Sequence, residues 1–272
     1  MGAFDGRVVF ITGASSGIGA ALALEFARQG ADLGLAARRV DRLEGLAAEL
    51  ARAGRRAVVL PCDVTRDGDL EAAIARTREV LGRIDVVVAN AGFGVVGPLD
   101  ALTLADYRRQ FETNVFGVLR TVYAALAELR RTRGQVVLLG SVTGYLSLPG
   151  ASPYSMSKFA LRALAQSLRG ELAPDGIAVT LISPGFVLTE IHQVDNRGAH
   201  HPEVRQRVPA WAVMSAERAA RIIVRGVARR RRELVITWLG RLAVFFERHL
   251  PSLVAWAVRR LGVRARPQPG AL

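Results

Sequence analysis

Tyr154 and Lys158 stand four residues apart in SPYSMSKFALRALAQSLRGEL, a stretch with the helical period of apolar residues and with Pro153 placed for a first turn. Positions i and i+4 of a helix share one face, about 6 Å apart, so a phenol and an ammonium can address the same bound molecule. A free tyrosine, with a pKa of about 10, releases its proton reluctantly near neutrality, and a nearby cation favours the phenolate. The pair is therefore a candidate proton donor and acceptor. Lys158 is the only lysine among 37 basic residues. A slender ammonium fits a slot that a planar guanidinium would need widened, although an arginine-biased composition also leaves a lone lysine somewhere by chance.

A second set of residues is suited to phosphate. TGASSGIG, residues 12–19, follows the apolar run RVVFIT and opens a helical pattern. Gly13, Gly17 and Gly19 allow a tight turn and close backbone approach, with Ser15, Ser16 and Ile18 between them. The helix start offers unsatisfied N–H groups and a positive dipole end. The spacing G-x-x-x-G-x-G differs from G-x-G-x-x-G, so what raises the signal is its context, a strand before and a helix after.

The elements that must position these groups are legible as an alternation. RVVFIT, ADLGLAA, AVVLPC, IDVVVAN, GQVVLLG, IAVTLIS and ELVIT are short β-rich apolar runs separated by helical patterns such as IGAALALEFARQG. Continuous apolar runs suit strands covered on both faces, which predicts one α/β domain, a doubly wound parallel sheet of about seven strands over 1–237. From about Trp238 to Leu261 the alternation stops. One or two amphipathic helices are expected there, with Pro251 starting the second or kinking the first, as a C-terminal extension over 238–272 that belongs to the same domain or faces a membrane or partner.

These motifs together resemble the short-chain dehydrogenases/reductases. The resemblance runs over roughly residues 6–190: TGASSGIG, CDV at 62–64, NAG at 90–92, Asn114, Ser141, the Tyr154 and Lys158 pair, and SPG at 183–185. It implies a Rossmann-like fold, a nicotinamide cofactor and oxidoreduction between a carbonyl and an alcohol. By the same resemblance Asp63 and Val64 contact the adenine, and Asn90, Ala91 and Gly92 line the cofactor near its ribose. By the same resemblance Val187 and Thr189 hold the carboxamide and nearby phosphate, and Pro184 and Gly185 form the turn of this cofactor-binding segment at the sheet's carboxyl edge. Ser141 hydrogen-bonds the substrate oxygen, Asn114 holds a water linking the lysine to solvent, and Tyr154 is the acid and base, with Lys158 bonding the ribose hydroxyls. A homodimer or homotetramer through the helices carrying Asn114 and Tyr154 is likewise implied. Taken singly, each residue has a plain structural reading, since serine ends strands and asparagine disrupts helices locally.

Ala37 occupies the position at which an acidic residue would bond the ribose hydroxyls of NAD, whereas Arg38 and Arg39 suit a 2′-phosphate. NADP(H) is expected, with NAD(H) as the alternative; two solvated arginines starting the next helix would explain the same residues.

The net charge of +13 admits nucleic acid, a membrane surface or anionic ligands. Most arginines are scattered at helical spacings, only 228–233 forms a dense run, and no aromatic or zinc-binding motif accompanies it, so nucleic acid is not expected. Cys62 is the sole cysteine, which excludes an internal disulfide and fits a reducing compartment. A cytoplasmic protein is expected, peripheral at the inner face of a membrane as an alternative. In the extension, Trp238, Leu242, Phe245, Phe246, Leu250, Leu253, Val254, Trp256 and Ala257 could form an apolar face bordered by arginines, and charges exclude a span. Packing over the substrate cleft or a subunit is the other reading of that face. The apolar extension points to a lipophilic substrate such as a keto lipid or sterol-like ketone. Two rival functions remain: a non-catalytic nucleotide-binding sensor or scaffold, which would not need a poised phenol, and a peripheral membrane module over 228–262. His192, His200 and His201 lack partners at ligand spacing and are expected as surface residues rather than metal ligands.

Overall fold

The computed structural model describes residues 2–199, 201 and 208–262. The strands are β1 (Val8–Thr12), β2 (Asp32–Ala37), β3 (Ala57–Pro61), β4 (Val86–Ala89), β5 (Gln135–Leu139), β6 (Ala178–Ser183) and β7 (Glu233–Val235). They form one parallel sheet in the order β3-β2-β1-β4-β5-β6-β7. The helices are α1 (Gly17–Arg28), α2 (Val40–Arg52), α3 (Asp69–Leu81), α4 (Leu104–Phe111), α5 (Gly117–Thr132), α6 (Ser152–Glu171), α7 (Ala216–Ala228), α8 (Trp238–His249) and α9 (Pro251–Arg260).

The strands are apolar at successive positions because each face has its own helical layer. Val9 and Ile11 of β1 join Leu22 and Phe26 of α1, Leu43 of α2 and Ile223 of α7 on one side. Val8 and Phe10 join Ile74 of α3, Val122 of α5 and Leu161 of α6 on the other. A parallel sheet buried this way selects apolar residues at odd and even positions alike.

The strand order turns at β1, whose neighbours are β2 on one side and β4 on the other, and ligands of open α/β sheets bind outside the carboxyl ends at such a point. Here those ends are locked together. The Thr12 hydroxyl, 1 % exposed, accepts from the N–H groups of Asn90 and Ala91 at 3.1 Å each. The Asn90 amide donates back to the carbonyls of Thr12 and Gly13 at 2.9 and 3.1 Å.

Between α4 and α5 the backbone forms a π-helical turn over Glu112–Phe116, which places Asn114 in the interior. At the other end of the chain, Pro251 starts α9 rather than kinking α8. Thr237 caps α8, its hydroxyl accepting from Gly240 N–H at 3.3 Å. A Cβ on Gly240 would lie 2.6 Å from Val142, and one on Gly185 would run into the Thr237 hydroxyl, so α8 is seated directly on the carboxyl edge of the sheet. Among the described residues no helix is long and apolar enough to cross a membrane. Residues 263–272 of the extension lie outside the described residues.

Replacing Thr12 with the isosteric Val would strip two N–H groups of their buried acceptor. The expected loss in unfolding free energy is about 2–4 kcal/mol, read as a lower urea midpoint at unchanged slope. An unchanged midpoint would mean the β1–β4 lock is not made through this hydroxyl.

Candidate active site

A cleft of about 1660 Å³ opens along the carboxyl edge of the sheet. Its walls include Gly13, Ser15, Ser16, Gly17 and Ile18 of the glycine loop, Arg38 and Arg39 after β2, Asp63 and Val64 after β3, and Asn90, Ala91 and Gly92 after β4. Ser141, Tyr154, Lys158, Pro184, Gly185, Val187 and Thr189 line it too. Two of the residues singled out in the sequence stand behind the wall rather than in it. Gly19 packs α1 against the loop, where a Cβ would collide with the Gly13 carbonyl. Asn114 is 1 % exposed.

The glycine loop is built for close approach. Gly13 has φ of +66°, and a Cβ there would lie 2.9 Å from both Ala91 and the Asn90 amide. Gly17 has φ of +55°, with the Thr189 side chain 3.2 Å from where its Cβ would be. Ser16 is the N-cap residue of α1 but makes no side-chain bond to its first turn. Its hydroxyl accepts instead from Arg39 Nη2 at 2.6 Å. The first-turn N–H groups of α1 thus lack their usual cap and face a cleft wall made of small residues, which fits a pyrophosphate.

Tyr154 sits on the first turns of α6 with Lys158 one turn on, and Lys158 Nζ lies 5.6 Å from the Tyr154 ring centroid. Lys158 is 7 % exposed and donates to the Leu139 carbonyl at 2.7 Å, at the end of β5. Burial holds its pKa down, at about 8. The phenol behaves differently from the sequence-based expectation that the ammonium lowers it. Burial pushes the Tyr154 pKa up, and the hydrogen bond with Ser141 pulls it part of the way back. The physical reason is burial: taking the phenol out of water disfavours its anion by more than the Ser141 hydrogen bond restores.

Ser141 ends β5 and caps a 3₁₀ turn over Val142–Gly144, accepting from Thr143 N–H at 3.1 Å. That turn abuts α6, since a Cβ on Gly144 would meet the Lys158 carbonyl at 2.8 Å. Serine, tyrosine and lysine are thereby held as one unit. Asn114 braces the same unit from below: its amide accepts from Phe93 N–H at 3.2 Å and donates to the Phe93 carbonyl at 3.0 Å and to Ser157 at 3.3 Å.

The arginines that follow β2 are tied into an ion network. Arg38 lies 4.0 Å from Asp63. Burial works to raise the Asp63 carboxyl, but the Thr65 N–H and hydroxyl, with Arg38, hold it below its ordinary value. Arg39 donates to Ser15, Ser16 and Glu190, and Arg42 to the other Glu190 oxygen. Arg42 and Glu190 escaped the sequence reading because their pairing spans 148 positions and no motif marks it. The apolar lining from Phe93, Leu146, Leu148, Trp211 and Leu239 was also missed residue by residue; the apolar face of the extension was the available signal. His201 pairs with Asp195 at 3.1 Å, and among the described residues no group of three or more His, Cys, Asp or Glu side chains could hold a metal. His200 and the His192 side chain lie outside the described residues.

A protein-family model described as short chain dehydrogenase matches residues 7–199. The 11-beta-hydroxysteroid dehydrogenase A of Sesamum indicum is 33 % identical over 271 residues, covering 97 % of this chain and 78 % of its own length. Among solved structures, the alcohol dehydrogenase of the archaeon Thermococcus sibiricus, complexed with 5-hydroxy-NADP, aligns with a TM-score of 0.73 at 32 % identity over 85 % of this chain and 96 % of that one. A short chain dehydrogenase of Burkholderia cenocepacia in complex with NADP aligns with a TM-score of 0.76 at 29 % identity over 86 % and 98 %.

The depressed Lys158 pKa has a measurable sign. Between pH 8 and 10.5 the unfolded chain keeps its lysine proton while the folded chain loses it, so stability rises with pH across that window, and the burden of the buried charge is felt in full below it. Relative to Lys158→Met, the wild type is expected to gain on the order of 2–3 kcal/mol in unfolding free energy from pH 8 to pH 10.5. Parallel denaturation curves for the two proteins across this range would show instead that the ammonium is not desolvated.

Proposed function

The chain belongs to the short chain dehydrogenase family and is thereby an NAD(P)-dependent oxidoreductase, and we propose that it prefers NADP(H) and interconverts a lipophilic ketone and its alcohol, with Tyr154 as acid and base. The observation that carries this reading is the unit of Ser141, Tyr154 and Lys158 on one cleft with the glycine loop. In this reading the loop from Gly13 to Gly19 holds the pyrophosphate, Arg38 and Arg39 the 2′-phosphate, Asp63 and Val64 the adenine, and Asn90 to Gly92 the ribose region. Pro184, Gly185, Val187 and Thr189 hold the nicotinamide end. The bound nicotinamide supplies or accepts the hydride.

What the chain itself does is hold and move a proton. Burial keeps the proton on Tyr154, so the phenol is a donor for a substrate oxygen that gains negative charge. Ser141 hydrogen-bonds the phenol and orients that oxygen beside it. Lys158, protonated below about pH 8, offsets the charge left on the phenolate in a site where Coulomb interactions are weakly screened. In the opposite direction the phenolate takes the proton of the alcohol. Asn114 positions α6 through Ser157 and holds the route by which the lysine exchanges its proton.

NADP(H) preference is supported by Ala37, which offers no carboxylate to ribose hydroxyls, and by the NADP and 5-hydroxy-NADP carried by the two structural neighbours. A steroid-like ketone is supported by the name of the Sesamum indicum relative and by the apolar wall from Leu146 to Leu239. A homodimer or homotetramer is supported by the exposed Tyr123, Met156 and Phe159 on α5 and α6. Peripheral contact with an anionic membrane is a second reading. Phe245, Leu253 and Trp256 are half-exposed or more on α8 and α9, with Arg241, Arg248, Arg259 and Arg260 beside them.

Tyr154→Phe is expected to keep NADPH affinity within about twofold while turnover of a hydrophobic ketone, followed by NADPH absorbance, drops by roughly 10²–10⁴. Equal turnover in the variant would remove the phenol from the chemistry, and turnover of small polar ketones alone would overturn the lipophilic substrate class. For the membrane reading, the double substitution Leu253→Asp, Trp256→Asp is expected to abolish flotation with phosphatidylserine-containing vesicles. Wild-type protein that stays at the bottom of the gradient would sink that reading.

A further inference from the structure

The ion network at the adenosine end contains one group that opposes the ligand its arginines suit. Glu190 follows Thr189, the N-cap residue of a 3₁₀ turn over Glu190–Gln193 after β6, with the Thr189 hydroxyl accepting from Ile191 N–H at 3.4 Å. Its carboxylate reaches back across the cleft wall. One oxygen accepts from Arg39 Nη1 at 3.0 Å and the other from Arg42 Nη1 at 2.5 Å. Arg39 is simultaneously bonded through Nε to Ser15 at 3.3 Å and through Nη2 to Ser16 at 2.6 Å. All three guanidinium nitrogens of Arg39 therefore already have an acceptor.

We propose that Glu190 is a cofactor-discriminating latch: its carboxylate occupies the edge of Arg39 and Arg42 that a 2′-phosphate would take, so NADP(H) must displace an internal anion and NAD(H) need not. The proposal rests on the NADP(H) reading of the cleft and adds to it a residue that sets the margin between the two cofactors. Charge counting gives the direction. Arg38, Arg39 and Arg42 are matched by the Asp63 and Glu190 carboxylates, so three cations present much less than three charges to an arriving phosphate. Exposure makes the exchange feasible: the Arg39 and Arg42 side chains are each 37 % exposed and Glu190 is 30 % exposed, so the pair is partly solvated and can open. A phosphate dianion carries more charge and more acceptor oxygens than the carboxylate it replaces. Burial acts to raise the Glu190 carboxyl, but Arg42 and Arg39 keep it below its ordinary value, so it remains an anion at neutral pH. A second contact shows that the latch segment is seated and not merely adjacent, because the Thr189 side chain packs over Gly17 of the phosphate loop.

The test is a binding titration of the full chain, wild type and Glu190→Gln, with NADPH, NADH and the fragment 2′,5′-ADP, by calorimetry. Glutamine keeps the shape and removes the charge. NADPH and 2′,5′-ADP are expected to bind the variant roughly three- to tenfold more tightly, with NADH changed less than twofold. In an Arg39→Gln, Arg42→Gln background, Glu190→Gln is expected to tighten NADPH by less than in the wild-type background, since only the direct repulsion between carboxylate and phosphate is then relieved. Glu190→Ala serves as the second variant, and unchanged melting temperatures identify folded proteins. Equal or weaker NADPH binding by Glu190→Gln would overturn the latch while leaving a wild-type preference for NADPH intact. Equal tightening of NADPH and NADH would also overturn it, because discrimination requires the 2′-phosphate to be the difference. Wild type that binds NADPH no better than NADH, with NADPH tightened in the variant, would overturn the preference and support the latch.

Discussion

The lock between the carboxyl ends of β1 and β4 is the constraint on which the remaining geometry depends. Thr12 and Asn90 exchange hydrogen bonds across the point where the strand order turns. A side chain on Gly13 would strike both Ala91 and the Asn90 amide, so the loop can hold this path only with glycine at a left-handed φ. Its position then fixes where α1 begins, where Ser15 and Ser16 stand, and hence where Arg39 can dock. A loop displaced from Asn90 would lose the helix start and the arginine site together.

At the other end of the cleft the controlling quantity is desolvation. Lys158 is buried against β5 and satisfied by the Leu139 carbonyl. An ammonium can be held this way because its three donors are compact and rotatable, whereas a guanidinium would bring five N–H groups into a space that satisfies one. That is a physical reason for lysine here in a chain that otherwise uses arginine. The same burial raises the Tyr154 phenol, so the protein's own groups favour a protonated donor next to a cation that is easily deprotonated. The two shifts are opposite in sign and have one cause.

The fold was legible in the sequence because two-sided burial leaves unbroken apolar runs, and each of the seven runs became a strand within a residue or two of its ends. Tyr154 and Lys158 were legible because helical periodicity fixes what four residues of separation mean. The phenol's shift was not, since its sign depended on how deeply the folded chain buries it, which no local pattern shows. Glu190 and Arg42 were invisible for a related reason: single charged residues on separate segments carry no local signature, and only the folded chain brings them to one arginine cluster. Pro251 left two outcomes open, a start or a kink, and capping geometry at Leu250 decided for the start.

The cleft also divides by origin. Its polar wall, from Gly13 to Thr189, comes from the region that matches the short chain dehydrogenase family, residues 7–199. Much of its apolar far side comes from beyond it, with Trp211, Leu239 and Ala243 among the lining residues. Thr237 joins the two parts: it is buried, caps α8 and sits against Gly185 of the turn after β6. A helix anchored at its first turn to the chemical edge, and exposed along Phe245 and Phe246 further on, can vary along its length without disturbing the tyrosine and lysine. Conversely, a change at Gly185 or Gly240 would move the apolar wall and the turn after β6 as one body, because no space for a side chain separates them. The apolar wall and the edge that carries the tyrosine and lysine are thus mechanically joined through two glycines and a threonine.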